Sequence, residues 1–106
     1  MRLPNKQKPT FLLKDVKRLV ELDRVSITQK CTKCADELGF SRTDVLDVLA
    51  CLEQKDFIHS VPQNNNPKLW QDVYSKTIHE LRLYIKFQIK VAEDKVLLLS
   101  FKQYTE

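Results

Sequence analysis

The stretch LRLYIKFQIKV at residues 81–91 alternates apolar and polar side chains along its whole length. This period of two is typical of a β-strand with one face against a core, because successive side chains point to opposite faces of a sheet. Ala92 to Asp94 then turn the chain, and residues 95–104 return as a second strand. The pattern predicts an antiparallel hairpin with one apolar face and one basic, polar face.

The same alternation predicts the register of this hairpin. A loop with an odd number of residues, centred on Glu93, gives the core pairs Ile89–Leu97, Phe87–Leu99 and Ile85–Phe101. On the other face it gives the pairs Tyr84–Lys102, Lys86–Ser100 and Arg82–Tyr104. A two-residue loop would turn Ser100 and Lys102 toward the core, which costs free energy. We therefore expect the odd loop, with the cations and tyrosines gathered on one exposed surface.

Helical periodicity precedes the hairpin. Apolar residues recur every three or four positions over 12–22, 28–38 and 42–54, and this spacing predicts three helices. Thr28 and Ser41 are suited to cap the second and third helices, because their hydroxyls can accept the free backbone N–H groups of a first turn.

Two shorter strands are expected at 56–61 and 70–74, separated by a loop rich in proline and asparagine at 62–67. Residues 1–10 are polar and contain two prolines, which predicts a flexible N-terminal arm. The fold class is therefore α+β, with N-terminal helices packed on a C-terminal antiparallel sheet of about four strands. We expect a single domain over 1–106.

Composition excludes several classes of protein. The chain has 106 residues, three cysteines and a single glycine. Its length supports one domain, and a glycine-rich phosphate loop would need more than one glycine, so no cofactor is expected. The longest apolar run, 96–99, is far shorter than the roughly 20 residues of a membrane helix. We therefore expect a cytoplasmic protein that does not bind a membrane, and the odd cysteine count agrees with that.

Charge is distributed unevenly along the chain, whose net charge is +4. Residues 1–33 contain nine Lys/Arg against three Asp/Glu, residues 34–56 two against six, and residues 57–106 seven against five. The balance favours an anionic partner, although a basic chain need not bind nucleic acid.

The polar face of the hairpin combines cations with aromatic rings. Lysine and arginine can bind phosphates while tyrosines stack on unpaired bases, a combination suited to single-stranded RNA. An ordinary solvated sheet face would show the same pattern, so both interpretations stay open at this point.

RNA cleavage by its own 2′-hydroxyl needs a general base, a general acid and cations beside the phosphate, and it needs no metal. His59 follows an apolar pair beside the predicted sheet and could exchange protons near neutral pH. A lone histidine is often structural, and this alternative also stays open.

Cys31 and Cys34 form a CxxC motif. A zinc site usually has four ligands, and only Cys51 remains among the cysteines. On a helix, Cys31 and Cys34 would lie on the buried side, so core packing and a metal or redox role are both open.

Two other classes of protein remain as alternatives. Three short helices followed by strands also describe a winged-helix DNA-binding regulator, but its recognition helix would contain Asp44, Asp47 and Glu53, which would oppose DNA phosphates. A small zinc- or redox-linked interaction domain built on the CxxC is the third possibility.

Several stretches resemble the MqsR family of bacterial toxins, which are messenger-RNA interferases of type II toxin–antitoxin systems and are related in fold to the RelE group. The matching stretches follow one order along nearly the whole chain after residue 12: VKRLV (16–20), ADELGF (35–40), Asp56-Phe57 with Ser60, WQDVY (70–74), Tyr84-Ile85-Lys86 and Ser100-Phe101-Lys102.

The resemblance implies metal-independent, ribosome-independent cleavage of single-stranded mRNA at short sequences, leading to growth arrest. It also implies a cognate antitoxin that inhibits the toxin, with a complex of the two expected on operator DNA. By position, the family's proposed catalytic residues fall on Gln71, Tyr84 and Lys102. A fourth family position is usually lysine and is His59 here.

The remaining expected site residues come from the exposed face of the hairpin and, for Tyr74, from the strand at 70–74. Arg82, Lys86, Tyr74 and Tyr104 are predicted to bind RNA, and no metal ligand is expected.

Overall fold

The structure is a computed structural model and describes residues 2–105. Within this range the chain forms three α-helices, α1 (Leu13–Glu21), α2 (Gln29–Glu37) and α3 (Arg42–Ala50). It also forms five strands, β1 (Val25–Ile27), β2 (Phe57–Pro62), β3 (Trp70–Ile78), β4 (Leu81–Lys90) and β5 (Lys95–Gln103). The α+β class is confirmed. None of the helices in residues 2–105 combines the length and apolarity that a membrane crossing requires.

All five strands belong to one sheet with the order β1-β5-β4-β3-β2. The pairs β2–β3, β3–β4 and β4–β5 are antiparallel, whereas β1 runs parallel to β5. The strand count is therefore five where the sequence predicted about four. The missed strand, β1, has only three residues, which is too short for a period of two to be visible.

Local capping explains where the second and third helices begin. The Thr28 hydroxyl accepts the backbone N–H of Cys31 at 3.2 Å, and Ser41 and Asp44 form a reciprocal capping box. The third helix ends at Ala50, earlier than the predicted residue 54. Cys51 is its C-terminal cap, and Leu52 is fully buried after the chain has left the helix.

The predicted register of the β4–β5 hairpin is correct at its open end and wrong near its turn. Near its open end the pairs Tyr84–Lys102, Lys86–Ser100 and Ile85–Phe101 are confirmed, and the Tyr104 N–H donates to the Arg82 carbonyl at 2.8 Å. Near the turn the prediction is wrong, because Ile89 pairs with Val96 and Phe87 with Leu98. The turn spans four residues, 91–94, and a β-bulge between the pairs Lys86–Ser100 and Phe87–Leu98 shifts the register by one. The bulge allows an even loop without turning Lys102 inward.

The core lies between the helices and one face of the sheet. Its most deeply buried side chains come from both layers: Val16, Leu19, Leu49, Leu52, Leu83, Ile85, Phe87, Leu98 and Phe101. The opposite face, which we call the open face, is the one that displays Tyr84, Lys86 and Lys102.

The segment before α1 is attached to the edge of the sheet. Lys6 and Ser60 exchange two backbone hydrogen bonds of 2.8 and 2.9 Å. Asp72 is fully buried, and its carboxylate accepts the backbone N–H of Thr10 at 3.0 Å and of Phe11 at 2.9 Å. The flexibility of residues 1–10 stays a prediction, since these contacts describe only where the chain runs.

Replacement of Asp72 by asparagine should destabilise the protein by about 1–3 kcal/mol, because an amide offers the two backbone N–H groups a weaker and less complete acceptor. The measurement is the midpoint of urea unfolding. Asp36→Asn, at an exposed position on α2, is the matched control and should change the midpoint little. Equal midpoints for both variants would contradict an anchoring role for Asp72.

Candidate nucleic-acid interface

Paired residues of antiparallel strands point to the same face of a sheet, so the register places the candidate residues in rows across the open face. One row contains His59, Val73, Lys86 and Ser100, from β2 to β5. The next row contains Ser75, Tyr84 and Lys102, and the one after it Thr77 and Arg82 with Tyr104 beside them.

Lys86 has the central position on this face. Neighbouring strands are about 4.8 Å apart, so the Cα atom of His59 lies about 10 Å from that of Lys86, with Val73 between them. Ser100 is the direct neighbour of Lys86 on β5, and Tyr84 and Lys102 are one row away. Lys86 therefore lies between His59 and Lys102 on the open face.

Cations and tyrosine rings are in contact at the end of the face away from His59. The Arg82 guanidinium carbon lies 3.9 Å from the centroid of the Tyr104 ring, and the Lys102 Nζ lies 5.2 Å from that of Tyr84. The two rings are 5.8 Å apart, and Arg82 Nε donates to the Ser75 hydroxyl at 3.0 Å. This arrangement presents ring faces and positive charge together, as stacking on unpaired bases requires.

Two groups on the face have shifted pKa values. Burial, followed by the charges of Lys102 and Lys30, lowers the pKa of Lys86. Burial, followed by Tyr104, raises the pKa of Tyr84, so its phenol stays protonated well above neutral pH. The shift of Lys86 indicates that its positive charge is poorly solvated and that a bound anion would stabilise it.

Gln71 is on the same face but not beside Tyr84 and Lys102. It lies on β3 two residues before Val73, and four residues, or about 13 Å, before Ser75, the neighbour of Tyr84. Its Nε2 donates to the Oε1 of Gln63 at 3.3 Å. Gln71 is therefore placed next to the row of His59 and Lys86 and away from the tyrosines.

Tyr74, expected among the RNA-binding residues, is fully buried on the helix side of the sheet. It pairs with Ile85, stacks on Phe87 at 5.4 Å and contacts Phe57 edge to face at 5.5 Å. Burial raises the pKa of its phenol to about 12, with smaller effects from Asp72 and Asp56. The burial of Tyr74 could have been predicted from alternation within WQDVY, because Gln71 and Val73 point to the open face and Tyr74 points to the other face.

The CxxC motif lies on α2 with Cys31 in the core and Cys34 half-buried. Burial, and next the neighbouring Cys34, raises the pKa of the Cys31 thiol to about 12, so it is not a reactive thiolate at neutral pH. Within residues 2–105 no three His, Cys, Asp or Glu side chains come together as a metal site. Core packing is the interpretation that this geometry supports for Cys31.

Two residues at the margin of the face were missed by sequence reasoning. The charge of Lys30, from α2, reaches Lys86, and Gln63, from the loop after β2, contacts Gln71. Neither the charge effect of Lys30 nor the hydrogen bond of Gln63 has a signal in the sequence, because the two partners lie on separate elements of the chain.

These features define a class: small α+β domains whose exposed sheet face, with cations and tyrosines interleaved, suits single-stranded nucleic acid. A sequence model of the family described as motility quorum-sensing regulator, toxin of MqsA, matches residues 8–103. The mRNA interferase toxin MqsR of Escherichia coli (strain K12) is 35% identical over 98 residues, which cover 92% of this chain and 97% of that relative. The chain belongs to the MqsR toxin family, and this membership replaces the winged-helix and zinc-domain alternatives.

Removal of the charge at Lys102 should raise the pKa of Lys86, because one of the cations that disfavour its protonation is lost. Acetic anhydride reacts with neutral amines, so Lys86 should be acetylated about twofold or more slowly in Lys102→Met at alkaline pH. Mass spectrometry of the digested protein measures this rate. Lys14→Met, on the other side of the sheet, is the control, and an unchanged rate in Lys102→Met would contradict the coupling.

Proposed function

We propose that this protein is the toxin of a type II toxin–antitoxin system and acts as an endoribonuclease, an mRNA interferase. We further propose that it cleaves single-stranded mRNA at short sequences without a metal ion and without the ribosome. The observation that carries the proposal is the open face, where Lys86, Lys102 and Arg82 are interleaved with Tyr84 and Tyr104. Membership of the family and the printed name of the relative support it.

In the proposed reaction the 2′-oxygen attacks the neighbouring phosphorus and the bond to the 5′-oxygen breaks. A general base removes the proton of the 2′-hydroxyl, and a general acid gives a proton to the leaving 5′-oxygen. The charge that builds up on the phosphate oxygens is stabilised by fixed cations. Lys86 is suited to contact the phosphate because of its central position, and Lys102 is one row away on β5.

His59 is the proposed general acid or base. Its place in the same row as Lys86 allows the two side chains to approach one phosphate from opposite sides of Val73. Tyr84 would orient that phosphate or take part in proton transfer. Tyr104, held against Arg82, would stack on a base of the same RNA strand.

Gln71 is proposed to contact the substrate beside the cleaved bond. Its distance along β3 from the neighbour of Tyr84 supports a contact with the nucleotide next to the one that the tyrosines would contact.

The partners follow from the same proposal. We propose that a cognate antitoxin inhibits the toxin in the cytoplasm, that the complex of the two binds operator DNA, and that the free toxin arrests growth.

Wild-type protein should cut a 5′-labelled single-stranded RNA into discrete products in the presence of EDTA and without ribosomes. Lys102→Ala and His59→Ala should each lower the cleavage rate by about 10²-fold or more, because each removes a charge or a proton-transfer group from the reacting phosphate. Gel analysis of single-turnover reactions measures these rates. Lys14→Ala, on α1, removes an exposed cation from the opposite side of the molecule and should cleave normally.

Other outcomes separate the parts of this proposal. Full activity of His59→Ala together with loss of activity in Lys102→Ala would remove the proton-transfer role of His59 and keep the nuclease. Binding of duplex DNA without any RNA cleavage would contradict the proposed activity itself.

The role of Lys86 as a phosphate-binding cation predicts a graded response. Lys86→Arg keeps a positive charge and should retain activity within about tenfold, whereas Lys86→Met should lose about 10²-fold. The same single-turnover assay measures both rates. An equal, large loss in both variants would indicate that Lys86 transfers a proton and does not only neutralise charge.

A further inference from the structure

The open face is divided chemically along β3. The rows of Lys86, Lys102 and Arg82 contain positive charges, and the pair Lys90–Lys95 adds two more at the far ends of β4 and β5. On β2 and β3, in contrast, the pair Val61–Gln71 is uncharged. Phosphates bind cations, while the edges of bases bind groups that offer both a donor and an acceptor. The part of the face formed by Val61 and Gln71 therefore differs from the lysine and arginine rows in the kind of ligand that it can hold.

Gln71 and Gln63 form a pair of amides on the β2–β3 side of the open face. Gln71 Nε2 donates to Gln63 Oε1 at 3.3 Å, and both side chains are half-buried. An amide has two N–H donors and a carbonyl acceptor. Within residues 2–105 this contact occupies one N–H of Gln71 and the Oε1 of Gln63, so the second N–H and the Oε1 of Gln71 and the NH₂ group of Gln63 can form further hydrogen bonds.

The loop that contains Gln63 is shaped to hold it in place. The Gln63 N–H donates to the Leu69 carbonyl at 2.7 Å, and the Gln63 carbonyl accepts from Asn66 at 2.8 Å. Asn64 and Asn65 both have positive φ angles, 50° and 58°. Asparagine tolerates this left-handed conformation better than most residues. The backbone bonds fix the position from which the Gln63 side chain reaches Gln71.

We propose that the Gln63–Gln71 amide pair reads the edge of one unpaired base of the RNA, and that Gln63 is a specificity-determining residue. This assignment rests on the proposed nuclease function. The base would belong to the nucleotide on the far side of Lys86 from Tyr84. Its phosphate would lie on the cations while its edge receives hydrogen bonds from the amide pair.

The test is a cleavage profile on a single-stranded RNA with randomised positions, sequenced after partial digestion by wild-type protein, Gln63→Ala and Gln63→Glu. Gln63→Glu still accepts the N–H of Gln71 but has no NH₂ group to give a base. If Gln63 reads a base, both variants should lose about tenfold or more of the preference at one nucleotide position, and the preferences at other positions should persist. Gln54→Ala, an exposed amide before β2, should keep the wild-type profile.

The alternatives give different results. A wild-type profile in both Gln63 variants would overturn the assignment and leave the nuclease standing. A profile altered in Gln63→Ala but restored in Gln63→Glu would also overturn it, since Gln63 would then only position Gln71. Failure of the wild-type protein to cleave any RNA in the pool would overturn the proposed function, and this assignment with it.

Discussion

The buried carboxylate of Asp72 is the constraint on which the rest of the arrangement depends. It lies on β3, fully buried, and it accepts the backbone N–H groups of Thr10 and Phe11 just before α1 begins. A buried charge without such partners would cost several kcal/mol. The chain must therefore enter α1 from this point, and the helical layer is held against one face of the sheet while the other face stays exposed to a ligand.

The same strand separates structural from functional residues by alternation alone. Asp72 and Tyr74 point to the helix side, where one binds backbone and the other fills the core, while Gln71 and Val73 point to the open face. A shift of β3 by one residue would exchange the two sets. In the motif WQDVY, Asp72 anchors the fold and the adjacent Gln71 is a candidate substrate contact. Both roles require the same register of β3.

Sequence reasoning succeeded for the two faces of the hairpin. The alternation over 81–91 assigns Tyr84 and Lys86 to the correct face, but their pairing with Lys102 and Ser100 is correct only because the bulge in β5 compensates for a turn of even length. It failed for features that produce no alternation of apolar and polar residues, namely the bulge in β5 and the three-residue strand β1. It also failed for the Gln63–Gln71 hydrogen bond, because that contact depends on the conformation of a loop. Tyr74 is an intermediate case. Alternation along β3 was sufficient to place its side chain on the core face, but Tyr74 was predicted to bind RNA because it is aromatic.

The open face is arranged at a cost to the folded protein. Burial and two neighbouring cations lower the pKa of Lys86, which means that folding disfavours its protonated form relative to the unfolded chain. The free energy of unfolding therefore decreases as the pH falls from the ordinary lysine pKa toward the lowered pKa of Lys86, and at neutral pH the poorly solvated charge of Lys86 opposes folding. A bound polyanion removes that repulsion and restores the poorly solvated charge to a favourable environment. The arrangement therefore favours a ligand whose negative charges are spaced along a chain, and the contacts of Asp72 supply stability on the opposite side of the same sheet.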